Sequence, residues 1–152
     1  MDLILWRHAE AVAGHHDLAR TLTPKGEQQA KRMAAWLKQR LPETTSVWVS
    51  QARRSQQTAA YFSRHAHIEA ALNPDALATD ILPLLYAHHG SPLLCVGHQP
   101  WIGQICAHLL AGHPYTERYW SVKKGAIWWF KLETDQIGLH SKLKASLCPG
   151  LL

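Results

Sequence analysis

Three short apolar runs limit what this chain can fold into. Leu3-Ile4-Leu5-Trp6, Val47-Trp48-Val49 and Leu93-Leu94-Cys95-Val96 each give way to a polar loop and then to residues with helical spacing. Apolar runs without polar alternation suit strands buried on both faces, and such strands belong in parallel sheets covered by helices. After the first run, Thr23-Pro24 supplies an N-cap followed by proline at the first helical position. Ala30, Met33, Ala34, Leu37 and Leu41 then recur along one helical face until Pro42. The second run precedes a helix predicted over 53–64 with Ser50 as its cap. A helical segment is expected over 76–87, with Pro83 inside it. The third run leads into a helix over 101–111 that stops at Gly112.

From Ala126 the character changes. Ala126-Ile127-Trp128-Trp129-Phe130 is aromatic and β-branched, and Ile137, Leu139, Leu143 and Ala145 alternate with His140, Lys142 and Lys144. This pattern predicts two antiparallel strands around a turn at 133–136. The expected fold is α/β: a single domain over 1–152, with a mainly parallel central sheet, helices on both faces and a C-terminal antiparallel hairpin. A chain of 152 residues, 47% apolar and 18% charged, has enough material for one core and the balance of a globular protein. No apolar run approaches the roughly 20 residues of a membrane helix, and residues 1–7 hold too short an apolar core for a secretory signal. A cytoplasmic protein without a membrane partner is expected. Cys95, Cys106 and Cys148 form no Cys-x-x-Cys pair, so they read as small core residues and not as a disulfide framework or a thiolate zinc site.

In open α/β sheets, ligands bind beyond the carboxyl ends of the strands. The loops expected there carry Arg7-His8, Arg53-Arg54 and Gly97-His98. Singly, each has a plain structural reading: a solvated charge pair, a basic helix end, a turn whose histidine bonds backbone. Together they would line one electropositive crevice suited to a phosphate, whose oxygens accept guanidinium hydrogen bonds. The net charge of +5 agrees with an anionic partner without selecting one. Seven tryptophans and a positive charge would also suit a nucleic-acid surface. Trp128 and Trp129 fall in a predicted strand and Trp36 in a helix, so they read as packing residues and no nucleic-acid partner is expected. The pairs His15-His16, His65-x-His67 and His88-His89 lack the companion ligands of a metal motif, so neither a metal nor another cofactor is expected.

Four motifs carry a resemblance. Arg7-His8-Ala9 stands against Arg-His-Gly, and Asp17, Arg20, Leu22, Thr23 and Gly26 fit Asp-x-x-Arg-x-Leu-Thr-x-x-Gly. Ser50-Gln51-Ala52-Arg53-Arg54-Ser55-Gln56-Gln57-Thr58 follows Ser-Pro-x-x-Arg-x-x-Gln-Thr, and Gly97-His98-Gln99-Pro100 fits Gly-His-x-Pro. Over nearly its whole length the chain resembles the histidine phosphatase (phosphoglycerate mutase-like) superfamily, and within it the small SixA-type phosphohistidine phosphatases. The resemblance implies a cofactor-independent phosphatase in which His8 attacks phosphorus, Arg7, Arg54 and His98 hold the nonbridging oxygens, and water releases phosphate. It adds Arg20 and Glu10 as residues near the phosphate. Glu10 would transfer a proton or remain a solvated loop carboxylate, and Arg20 and Asp17 would line the pocket or pair with one another. Gln57 and Thr58 are expected to anchor their helix.

Two positions depart from the pattern. Ala9 replaces a glycine, and its methyl would crowd the loop if the backbone needs a positive φ; Gln51 replaces a proline. Larger members carry an inserted subdomain that supplies an acid to an alkoxide leaving group, and the stretch 65–92 leaves no room for such a cap. That favours a good leaving group, the P–N bond of phosphohistidine on a partner protein. The alternatives are a small phosphorylated metabolite as substrate, or a phosphate- or nucleic-acid-binding domain that has lost the chemistry.

Overall fold

The computed structural model describes residues 1–112 and 119–152. The strands are β1 (Asp2–Arg7), β2 (Ser46–Val49), β3 (His67–Ile68), β4 (Leu93–Gly97), β5 (Ile127–Thr134) and β6 (Leu139–Leu147). Four helices lie between them: α1 (Pro24–Lys38), α2 (Arg53–Ala60), α3 (Ala78–Ala87) and α4 (Trp101–Ala111). One sheet holds the order β3-β2-β4-β1-β5-β6. Its first four strands run parallel, whereas β5 is antiparallel to β1 and β6 to β5.

The central strands show why their runs contain no polar residue. Ile4 and Trp6 of β1 point to one face, where Ala30, Met33, Ala34 and Leu37 of α1 cover them. Leu3 and Leu5 point to the other face, against Ile81 and Leu85 of α3 and Ile102 and Ile105 of α4. Burying each such side chain contributes about 1.5–3 kcal/mol. Thr23 caps α1 by accepting the Gly26 N–H at 3.0 Å. Gly112 ends α4 at φ +65°, a conformation that costs glycine little. Cys95 and Cys106 lie in the core, where burial pushes both thiols up.

Several boundaries differ from the sequence reading. Helix α2 stops at Ala60 because the Phe62 and Ser63 N–H groups both turn back to the Ala59 carbonyl. Leu41 lies past the end of α1 yet stays buried, its N–H returning to Leu37. Helix α3 starts at Ala78 and runs through Pro83. The hairpin turn falls at 135–138, where Asp135 Oδ1 accepts the N–H groups of Ile137 and Gly138, and Gly138 takes φ +140°. Ile137 lies in that turn and is 88% exposed, and a register shift between Trp129 and Phe130 breaks the expected alternation along the hairpin. Strand β6 is mostly exposed; its Lys142 pairs with Glu133 at 3.1 Å and its Lys144 with Asp2 at 2.9 Å. Strand β3, unforeseen, is held by two register pairs to Trp48 and Val49.

Among the described residues no helix is long and apolar enough to cross a membrane. The tryptophans pack: Trp6 and Trp101 are fully buried, and Trp36 meets Trp129 edge-on at 6.2 Å.

Candidate active site

Strands β2, β4 and β1 are adjacent and parallel, so their carboxyl ends deliver three loops to one place. The His8 N–H donates to the Gly97 carbonyl at 3.0 Å, joining the loop after β1 to the end of β4. Gly97 has no substitute there, because a Cβ would lie 2.0 Å from the Trp101 ring. The His8 and His98 rings face each other at 5.1 Å, tilted by 51°.

His8 is 5% exposed, and its Nδ1 lies 2.7 Å from the Ala9 carbonyl. A carbonyl only accepts, so Nδ1 carries the proton and Nε2 the lone pair. Burial, reinforced by the charges of Arg54, Arg7 and Arg20, pushes the His8 pKa down to about 3. His98 is pushed to about 2, first by burial and then by His8, Arg54 and Arg7. Both rings are therefore neutral near pH 7.

Arg7 is fixed by Nη1 donating to the Val122 carbonyl at 2.7 Å. Gly125, at φ +76°, donates to the Arg7 and His8 carbonyls, and its own carbonyl accepts the Trp6 indole N–H at 3.0 Å. Arg54 is 3% exposed; Nη1 donates to the Asp17 carbonyl at 2.6 Å and Nη2 to Asp17 Oδ2 at 3.1 Å. Asp17 also accepts from Arg20 Nη1 at 3.0 Å, so the Asp17–Arg20 pair forms. Partial burial would raise the Asp17 pKa, but hydrogen bonds and charge from Arg54 and Arg20 hold it below its ordinary value. Three guanidinium groups, one carboxylate and two neutral imidazoles leave this cluster with two net positive charges. Arg7 Nε and Arg54 Nε are buried without a hydrogen-bond partner among the described residues.

Glu10 is turned elsewhere. Its carboxylate accepts from Thr23 Oγ1 at 3.0 Å and lies 3.7 Å from Lys25 Nζ, at the start of α1. Gly26 permits this approach, since a Cβ there would sit 1.9 Å from the Glu10 carbonyl oxygen. Ala9 is unstrained, because no non-glycine residue among those described takes a positive φ. Gln51 uses what proline lacks: its N–H donates to Asn73 Oδ1 at 2.8 Å, while Asn73 Nδ2 donates to Gln51 Oε1 at 2.7 Å. A cavity of about 520 Å³ at the amino end of β1, lined by Met1, Tyr86, His88 and Glu133, includes none of these residues. Among the described residues no group of three or more His, Cys, Asp or Glu side chains is placed to hold a metal ion.

Residues 3–77 match the model of the histidine phosphatase superfamily (branch 1). The protein histidine phosphatase SixA, solved with tungstate, superposes with a TM-score of 0.83 at 25% identity, covering 99% of each chain. The chain belongs to the histidine phosphatase superfamily. A SixA described as a putative phosphohistidine phosphatase, from Nakamurella multipartitia, gives 0.72 at 25% identity over 97% of this chain and 95% of that one. A phosphoserine phosphatase from Entamoeba histolytica, solved with phosphoserine, gives 0.72 at 18% identity over 95% of each chain, a likeness of fold. No curated protein matches the sequence. Membership and the SixA likeness support phosphatase activity.

Three residues named from the sequence of this histidine phosphatase have partners in the site that the sequence did not show. Thr58 Oγ1 accepts the Ala9 N–H at 3.1 Å and donates to the Arg54 carbonyl at 2.7 Å; Gln57 Oε1 accepts the Leu22 N–H at 2.8 Å. Both therefore tie site loops to α2. Ser50 does not cap α2, whose N-cap position is Ala52 with no side-chain bond. Its Oγ lies instead 2.7 Å from His98 Nε2.

Proposed function

We propose that this histidine phosphatase removes phosphate from phosphohistidine on a partner protein through a covalent intermediate on His8. One observation carries the reading: the Nδ1–H bond to Ala9 leaves Nε2 as a lone pair inside a cluster with two net positive charges. That charge complements a phosphoryl dianion. Nε2 attacks phosphorus in line, a nitrogen–phosphorus bond forms to His8, and the bond to the substrate imidazole breaks. The departing nitrogen keeps the bonding pair, and because the other nitrogen of the substrate ring carries a proton, the leaving group is a neutral imidazole. A water then attacks the phosphohistidine, releasing phosphate and restoring the lone pair. Arg7, Arg54 and His98 hold the nonbridging oxygens, and Arg20 adds positive charge beside His8. Glu10 stays outside the reacting set, its carboxylate being held by Thr23 and Lys25.

Two features support a P–N substrate over an alkoxide ester. Between α2 and β4 the chain forms β3, a 3₁₀ turn at Ala70–Leu72 and α3, with β3 paired in the sheet and α3 packed on the core, and no cap subdomain. A neutral imidazole also leaves without the strong acid that an alkoxide requires. The phosphoserine phosphatase neighbour favours a second reading, in which the same pocket serves a small phosphorylated metabolite. The test compares wild type and His8→Ala on a phosphohistidine protein, phosphoserine and an aryl phosphate, while trapping acid-labile label on the enzyme. Fastest turnover on the phosphohistidine protein, label on the wild type, and loss of roughly a thousandfold or more in His8→Ala are expected. Preference for phosphoserine would select the metabolite reading, and unchanged turnover in His8→Ala would overturn the mechanism.

A further inference from the structure

His98 sits between partners of different character. Its Nδ1 is 3.3 Å from Arg54 Nη2, while its Nε2 is 2.7 Å from Ser50 Oγ and 3.3 Å from Ser55 Oγ. The set is buried: Ser50 and Ser55 are fully enclosed, His98 2% exposed and Arg54 3%. A neutral imidazole has one N–H to place. A guanidinium can only donate, so Nδ1 facing Arg54 Nη2 must be the acceptor, and the proton resides on Nε2, given to Ser50. A phosphoryl oxygen can only accept. For His98 to hold one, the proton must be on Nδ1, which makes Nε2 an acceptor.

Resting on the phosphatase reading of this pocket, we infer that Ser50 and Ser55 are positioning residues that let His98 exchange tautomers when a phosphoryl group arrives. A hydroxyl serves either tautomer, because it accepts from Nε2–H or donates to the Nε2 lone pair by rotating about Cβ–Oγ. Ser50 is prepared for both. Its oxygen already accepts the Ala52 N–H at 3.2 Å, which leaves its own proton to give. Ser55, in the first turn of α2, brings a second hydroxyl to the same nitrogen. In the exchange one proton leaves Nε2 and one joins Nδ1 through water, so the ring stays neutral. An alanine at 50 would strand a buried ring nitrogen; threonine would retain the hydroxyl.

The experiment is ¹⁵N NMR of the His98 ring in the full chain, without and with tungstate as the phosphate-like probe. The Nε2–H tautomer is expected without tungstate and the Nδ1–H tautomer with it. Ser50→Ala should weaken tungstate binding about tenfold, Ser55→Ala should weaken it less, and Ser50→Thr should bind as wild type does. The same tautomer in both samples, or Ser50→Ala binding tungstate unchanged, overturns the inference. Tungstate that leaves the His98 signals unmoved removes His98 from the phosphate site, so the underlying reading of that residue falls too. The wild-type spectra decide the matter even if a serine variant fails to fold.

Discussion

Replacing Thr58 by valine keeps the outline of the side chain and deletes one hydroxyl. That hydroxyl is fully buried, accepts the Ala9 N–H at 3.1 Å and donates to the Arg54 carbonyl at 2.7 Å. The Arg54 carbonyl keeps its helical partner, the Thr58 N–H, so its loss is small. The Ala9 N–H has no such reserve, because Ala9 is itself fully buried. Stranding it costs about 1–3 kcal/mol. For a chain of this size, about 2 kcal/mol lowers Tm by roughly 4–8 °C. The same peptide unit orients the reacting ring, since the Ala9 carbonyl accepts His8 Nδ1–H. A drift of that loop should therefore lower kcat by about tenfold while KM changes little. Thermal unfolding followed by circular dichroism and steady-state kinetics on an aryl phosphate test both parts, with Thr58→Ser as the rescue. A Tm within about 1 °C of wild type would refute the accounting. A lowered Tm with kcat intact would separate Ala9 from the orientation of His8.

Two further outcomes follow from the site. His8 and His98 remain unprotonated in the folded chain down to pH values of about 3 and about 2, whereas each binds a proton near 6.5 when unfolded. The unfolded state thus holds more protons below pH 6.5, so stability should fall with falling pH, by about 2 kcal/mol per histidine between pH 7.5 and 5. Urea unfolding across that range measures the slope. A level profile contradicts the burial argument, and His98→Asn should remove about half of the change. Gly26→Ala would stabilise an ordinary helix by up to about 1 kcal/mol, yet the added carbon would meet the Glu10 carbonyl at 1.9 Å. A net loss of about 1–3 kcal/mol is expected in chemical denaturation, and a gain would disprove the close approach.

The fold was legible where one local rule governed. Uninterrupted apolar runs located β1 and β4, Thr23-Pro24 located the start of α1, and Gly112 located the end of α4. It was illegible where tertiary pairing decided. Strand β3 is two residues long and exists because β2 is beside it, and the hairpin turn moved to the place where Asp135 could bind two N–H groups and Gly138 could take its φ. In the site, Arg7, His8, Arg54 and His98 stood out because each follows a strand end or begins a helix, and those ends are neighbours in the sheet. Asp17 was read beside Arg20, three positions away, but its second partner, Arg54, lies 37 positions on. Ser50 looked like a cap because a hydroxyl before a helix serves that purpose in most sequences, and nothing local announces a histidine 48 residues distant. Thr58 and Gln57 were assigned to their own helix, since spacing cannot show a side chain reaching across to another loop.

The two outermost strands have a consequence for how the molecule meets copies of itself. A long, flat, uncharged border would offer its unpaired backbone groups as a template for strand addition and fibre growth. On one side the border is two residues long, too short to guide a register. On the other, Lys142 and Lys144 place two ammonium groups on the border strand, so a second copy laid against it would bring like charges together. Short length at one margin and charge at the other thus work against self-templated aggregation of the sheet.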